Sequence, residues 1–165
     1  MILFQDLRGV DPAALVVTVS HLAENLRPSD LDEIAAVSDL EPFVALMEAV
    51  AVSDRVWTIV SDETPIAVFG CAPAGDGTGY VWMVGTPAMD QPSNAIGILR
   101  ATRPYLAEMH QVYSCLWNNI DARNVRSIRW LQWAGFSIID AHPRFGRQGL
   151  PFLTFARIEP CVSQQ

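Results

Sequence analysis

Residues 121–136, DARNVRSIRWLQWAGF, decide the fold. A short polar cap leads into about three turns of helix. Asp121 is the expected N-cap, and Gly135 fits the left-handed position that follows a last turn. At about 100° per residue the stretch has two sides. Asn124, Val125, Ser127, Ile128 and Leu131 share one, and Arg123, Arg126, Arg129, Trp130 and Trp133 share the other. A surface helix ordinarily sets apolar residues against charged ones, whereas Arg mixed with Trp is the composition of binding hot spots. Arg126, Arg129, Trp130 and Trp133 are therefore candidate partner-binding residues, facing a second copy of the chain or another protein. The alternative is that a neighbouring helix or the final hairpin covers the two indoles.

Upstream of this helix the period of the apolar residues changes twice. Residues 2–8 read as a strand. Asp11-Pro12 is an N-cap with proline at the first helical position, and Leu15, Val19, Leu22 and Leu26 recur at helical spacing. Pro28 interrupts, Ser29 to Asp32 resembles a capping box for a short helix through Val37, and Asp39 could cap a third helix. VWTIV (56–60) and PIAVFGCAP (65–73) are β-rich runs joined by SDET, a hairpin, and YVWMVGT (80–86) follows a Gly-rich turn. A helix is expected over residues 93–109, kinked or divided at Pro104. VYSCLWNNI (112–120) is a strand leading into the Arg/Trp helix, and FSIIDA and PFLTFARI close the chain as two more. Strand, helices, three strands, helix, strand, helix and two strands make an α/β domain over residues 1–160 with a mixed sheet. Residues 161–165 read as a loose tail.

Composition narrows the function classes. At 165 residues the chain can bury a core unaided, and 50% hydrophobic residues exclude general disorder. A net charge of −7 argues against strong nucleic-acid binding by the whole surface, although Arg123, Arg126 and Arg129 could form a local stripe. Cys71, Cys115 and Cys161 have no metal-site or redox spacing and read as reduced thiols. No metal site is expected. MILFQDLRG carries no basic leader, and no apolar run reaches about 18 residues, so neither a secretion signal nor a membrane span is expected.

An Asn, a small residue three on, an apolar helix and a closing Gly-Phe resemble the late helix of the GNAT superfamily of N-acetyltransferases. The order of elements is similar too. The resemblance implies a single GNAT-like domain, with a mostly antiparallel mixed sheet flanked by helices, and acetyl-CoA as the ligand if the protein is an enzyme. It places Asn124 and Ser127 beside coenzyme A, and the main chain of the strand VWMVGT, at Val84 and Thr86, against the thioester and pantetheine. A tyrosine that often serves as general acid stands seven residues after the Asn in this superfamily; here that position is Leu131, which has no proton to give. A finer likeness links HLAENLRPSDLDEI (21–34), IAVFG, VWMVGT and the 121–136 stretch to the small GNAT-like internal virion proteins of short-tailed phages. It implies synthesis in the host cytoplasm, packaging in the virion and contacts with other virion proteins.

The expected anion site departs from the superfamily pattern. Acetyltransferases of this kind hold the diphosphate on a Q/R-x-x-G-x-G/A loop at a helix start. Here PAMDQPSNAIGILRAT (87–102) has Gln91 and Gly97 at other spacing, two prolines that lack N–H donors, and the carboxylate of Asp90. No coenzyme is therefore expected to bind tightly. No catalytic base stands out: His21, His110 and His142 and the turn aspartates all have structural explanations. Asn124 itself has two readings, a pantetheine contact or a cap for free helix amides. Two functions compete on these residues. One is a non-enzymatic virion or genome-ejection component with a degenerate acetyl-CoA site. The other is an acetyl-CoA-dependent N-acetyltransferase acting on a small or protein amine.

Overall fold

A computed structural model describes residues 1–159; the expected loose tail and Cys161 lie outside them. One seven-stranded sheet runs in the order β1-β2-β3-β4-β5-β7-β6. Its strands are β1 (Ile2–Asp6), β2 (Arg55–Ser61), β3 (Thr64–Pro73), β4 (Thr78–Gly85), β5 (Cys115–Asp121), β6 (Ser137–Phe145) and β7 (Leu150–Ile158). All neighbours pair antiparallel except β4 and β5. The helices are α1 (Pro12–Glu24), α2 (Pro28–Val37), α3 (Pro42–Val52), α4 (Pro92–His110) and α5 (Val125–Trp133), with a 3₁₀ turn over Pro87–Asp90. The α/β domain with a mixed, mostly antiparallel sheet is the architecture the element order implied.

Two cores form because both sheet faces are apolar. On one face Val19, Leu22, Leu46 and Val50 of α1 and α3 meet Val56 and Val68. On the other, Ile98, Leu106 and Met109 of α4 and Leu131 of α5 meet Ile59, Phe69 and Leu116. Each such side chain, fully buried, contributes about 1.5–3 kcal/mol. Trp57 is buried in the second core, where its ring stacks on that of Phe69 at 5.2 Å.

Some local expectations hold and others change. Asp11 caps α1, accepting from the N–H groups of Ala13 and Ala14. Pro28 follows the break after α1 and itself opens α2, with Arg27 in the cap position and no side-chain cap from Ser29. Glu41, not Asp39, precedes α3. Pro104 sits within an unbroken α4. Asn124, not Asp121, caps α5: its side-chain oxygen accepts from Ser127 N–H at 3.3 Å. Asp121 instead holds the backbone N–H and guanidinium of Arg123. Gly135 has φ 95°, the left-handed conformation its place after the helix demands.

The ends of α2 are tied to different parts of the sheet. At its start, Arg27 N–H donates to Gly85 O (2.9 Å) and Asp30 accepts from Gly85 N–H (2.9 Å), joining it to the end of β4. At its end, Arg147 in the β6–β7 turn donates its N–H to Ala36 O (3.0 Å) and its guanidinium to Ser38 O (2.8 Å).

Candidate active site

Strands β4 and β5 start as a parallel pair and then separate. Thr78, Gly79 and Tyr80 pair with Cys115, Leu116 and Trp117, and the ladder ends there. Along β4, alternate residues turn their main-chain groups toward β3 or toward this gap. Val84 pairs with Val68 of β3, and Thr86 N–H donates to Ile66 O (2.8 Å). The main chain facing the gap is that of Val81, Met83 and Gly85. Asn118 Nδ2 bonds the Val81 carbonyl (2.8 Å), and α2 takes both polar groups of Gly85. Those of Met83 have no strand partner on that side. No register shift interrupts the β3–β4 pairing, so the opening comes from divergence of β4 and β5 and not from the β4 bulge that Gly85 would permit. A Cβ on Gly85 would lie 2.4 Å from Met89 Sδ and 2.8 Å from Ile66 O, so close packing is what requires glycine there.

The gap leads into a cavity of about 1030 Å³ that reaches both faces of the sheet. Val84, Asn124 and Ser127 line it, and so do Arg126, Arg129, Trp130 and Trp133, whereas Thr86 is buried and does not. Apart from Thr86, the residues assigned to a cofactor and those assigned to a partner thus line one cavity. Trp130 is half-buried and packs on the core. Trp133 is 48% exposed, with the Arg103 guanidinium of α4 5.2 Å from its ring centroid. Leu131, 7% exposed, belongs to the core.

Two acidic groups missed by sequence reading sit at the cleft. Glu33 on α2 accepts from Asp121 N–H at 3.1 Å. Burial pushes its carboxyl up to about 7, with the Asp30 charge adding to the effect; the Asp121 N–H and the nearby Asn124 amide oppose it. Asp30, one helical turn earlier, is 4% exposed and is held by Arg27 and Gly85. The signal was present in PSDLDEIAAV: Asp30 and Glu33 occupy the helical phase of Ile34 and Val37, where a helix against a sheet should be apolar.

The start of α4 carries an ionic cluster instead of a glycine loop. Asp90 Oδ1 lies 3.2 Å from Arg27 Nη1 and 3.3 Å from Arg126 Nη2. Burial works against the Arg27 charge, but Asp30 and Asp90 more than offset it and hold its pKa above the ordinary value. Gly97 serves packing: a Cβ there would meet Ile2 Cδ1 at 2.5 Å. His110 lies in the last turn of α4. Burial lowers its pKa, and Nδ1 lies 2.9 Å from Tyr113 O. Cys71 is buried, its thiol pushed up to about 12 by burial, and Cys115 is half-buried. Among the described residues no cluster of His, Cys, Asp and Glu could hold a metal, and no helix is long and apolar enough to cross a membrane.

No protein-family model and no curated protein matches the sequence. Solved structures do match in fold. The ribosomal-protein-S18-alanine N-acetyltransferase of Escherichia coli superposes with TM-score 0.66 at 11% identity, covering 100% of this chain and 99% of its own. A GNAT-family acetyltransferase of Bacillus anthracis gives 0.68 at 10% identity, with 95% and 94% covered. A chimeric spermidine N-acetyltransferase from Vibrio cholerae gives 0.65 at 10%, with 95% of each chain covered. The fold is that of the GNAT acetyltransferases.

Proposed function

We propose that the protein is an N-acyltransferase that uses a thioester donor and an amine acceptor. The observation that carries this reading is the parting of β4 and β5 beneath Glu33. The gap offers unpaired main chain at Met83 to an acyl thioester, and a carboxyl whose pKa lies near neutrality borders the same cavity. A base works best when its pKa lies near the working pH. Glu33 accepts the proton of the incoming ammonium or amine. Asn124 caps α5 with its side-chain oxygen, and its amide lies on the side of the cleft that Glu33 borders. The pantetheine arm of acetyl-CoA would lie along Val84, Asn124 and Ser127, and the donor supplies the activated acyl group. The nucleotide end fits less well, because Asp90 already pairs with the two arginines nearest the start of α4. Acetyl-CoA is therefore a weakly held donor. The named activities of two fold neighbours, on a peptide alanine and on spermidine, are consistent with an amine acceptor.

The test is release of thiol from acetyl-CoA in the presence of small amines and an alanine-ended peptide. Glu33→Gln should abolish amine-dependent release at pH 8. Release unchanged by that substitution would remove Glu33 from the reaction.

A second reading is favoured by the Asp90 cluster: a non-enzymatic component of a phage particle that keeps the fold and uses its surface. In that case Arg126, Arg129, Trp130 and Trp133 contact another virion protein or a second copy. Arg129→Ala with Trp133→Ala would then weaken assembly and leave the fold intact. Micromolar acetyl-CoA binding with amine turnover would decide against it.

A further inference from the structure

With Leu131 in the superfamily's acid position, the leaving sulfur still lacks a proton donor. A row of polar side chains crosses the sheet on the α2 side and ends in the cleft. His142 Nε2 on β6 lies 2.8 Å from Thr154 Oγ1 on β7. The Thr154 hydroxyl donates to Asn119 Oδ1 on β5 at 2.6 Å. Asn119 Nδ2 donates to the Tyr80 hydroxyl on β4 at 3.4 Å. Tyr80 and Asn119 line the cavity.

The row has one direction. A hydroxyl carries a single proton. Thr154 gives its proton to Asn119, so it must accept from His142, and both the neutral Nε2–H form and the imidazolium can donate. With its oxygen toward Thr154, the Asn119 amide turns its nitrogen to Tyr80. Tyr80 therefore accepts from the row, and its own proton is free to point into the cavity. The Trp117 ring, 4.4 Å from that of Tyr80, fixes the phenol where β4–β5 pairing stops. Glu33 is bound to Asp121 N–H, two residues along β5 from Asn119, a separation of about 7 Å. The Tyr80 hydroxyl of β4 and the Glu33 carboxyl of α2 are thus tied to β5 two residues apart, one through the Asn119 side chain and the other through the Asp121 N–H.

We infer that Tyr80 is the proton donor of the cleft, held donor-inward by Asn119, Thr154 and His142. The inference rests on the acyltransferase reading. The amine nitrogen bonds to the acyl carbon as Glu33 takes one of its protons. The carbon–sulfur bond breaks with its electron pair on sulfur, and Tyr80 gives that sulfur its proton. The proton on Glu33 then passes through the cleft to the tyrosinate. Both side chains are restored, and one proton has moved from nitrogen to sulfur. Tyr80 is the catalytic residue; His142 and Thr154 are positioning residues.

The experiment compares two donors and reads the row directly. Tyr80→Phe should lower kcat about 100-fold with acetyl-CoA, whose alkyl thiolate needs a proton to leave. With S-phenyl thioacetate, whose thiolate leaves unaided, it should change little. Thr154→Val should lower kcat with KM unchanged, and Thr154→Ser should restore it. Nitrogen-15 NMR of the wild type should show His142 protonated at Nε2. A neutral His142 protonated only at Nδ1 overturns the inference without any variant. Wild-type transfer that Tyr80→Phe leaves intact overturns it and spares the acyltransferase reading. A wild type that transfers to no amine overturns both.

Discussion

Asp90→Asn should convert a poor coenzyme site into a better one. Asp90 places one carboxylate oxygen 3.2 Å from Arg27 and 3.3 Å from Arg126, at the start of α4, where a diphosphate would seek the same cations. Two unit charges 4 Å apart interact by about 4 kcal/mol near a protein surface and about 1 kcal/mol in water. The Arg126 side chain is 69% exposed, so its contact lies near the lower figure; that of Arg27, at 14%, lies higher. Once rehydration is counted, removing the carboxylate charge relieves half of this competition, about 1.4–2.7 kcal/mol, or a tenfold to hundredfold gain in affinity. The cost in stability should stay below about 1 kcal/mol, because Arg27 keeps both bonds to Asp30. Calorimetric titration with acetyl-CoA checks this, with S-acetylpantetheine, which has no diphosphate, as the control. The gain should appear only for acetyl-CoA and shrink with added salt. An equal gain for both ligands, or none for either, would refute the electrostatic argument.

Other outcomes follow from burial. Glu33 has a folded pKa of about 7, above its ordinary value of 4.5, so the folded state holds its proton more tightly between those limits and stability falls as pH rises through that window. Glu33→Gln should remove that fall and stabilise the protein at pH 8 relative to wild type by at most about 3 kcal/mol, read from urea denaturation at pH 5 and pH 8. Leu131→Tyr puts a hydroxyl into the core and should cost about 1–3 kcal/mol without restoring an acid, as thermal melting and thiol release will show. Trp130→Ala should cost about 2–3 kcal/mol because its ring packs on the core, whereas Trp133→Ala should cost about 1 kcal/mol or less, the worth of its Arg103 contact; equal losses would contradict the packing described. Gly85→Ala should destabilise by displacing Met89, with melting again the measure.

The sequence exposed whatever depends on local side-chain chemistry. Leucine and valine spacing marked α1, the hairpin at SDET was legible from its turn residues, and Gly135 announced the end of α5. Asp62 and Glu63 do turn that hairpin, with φ of 46° and 66°. The cleft was legible only through family resemblance, because it consists of hydrogen bonds that β4 and β5 do not make, and main-chain groups look alike under any side chain. Glu33 was hidden because its effect comes from burial against β5, 88 residues away in sequence. Asp90 was legible as an unwelcome charge, but its two arginine partners come from distant elements. Pro104 misled because a proline removes one donor without forcing a break when the helix is held by its packing on the sheet. The likeness to internal virion proteins rests on short sequence pieces alone.

Helix α2 has a mechanical role that its ten residues define. Fastened to the end of β4 at Gly85 and to the β6–β7 turn at Arg147, it spans the parted half of the sheet as a beam spans an opening. At about 1.5 Å per residue its span is about 15 Å. The width of the mouth is thus set by a residue count and not by a hinge. Inserting or deleting one residue in α2 would shift the span by about 1.5 Å and swing Glu33 by about 100° away from β5. Length variation, tolerated in the surrounding turns, should be intolerable within this helix.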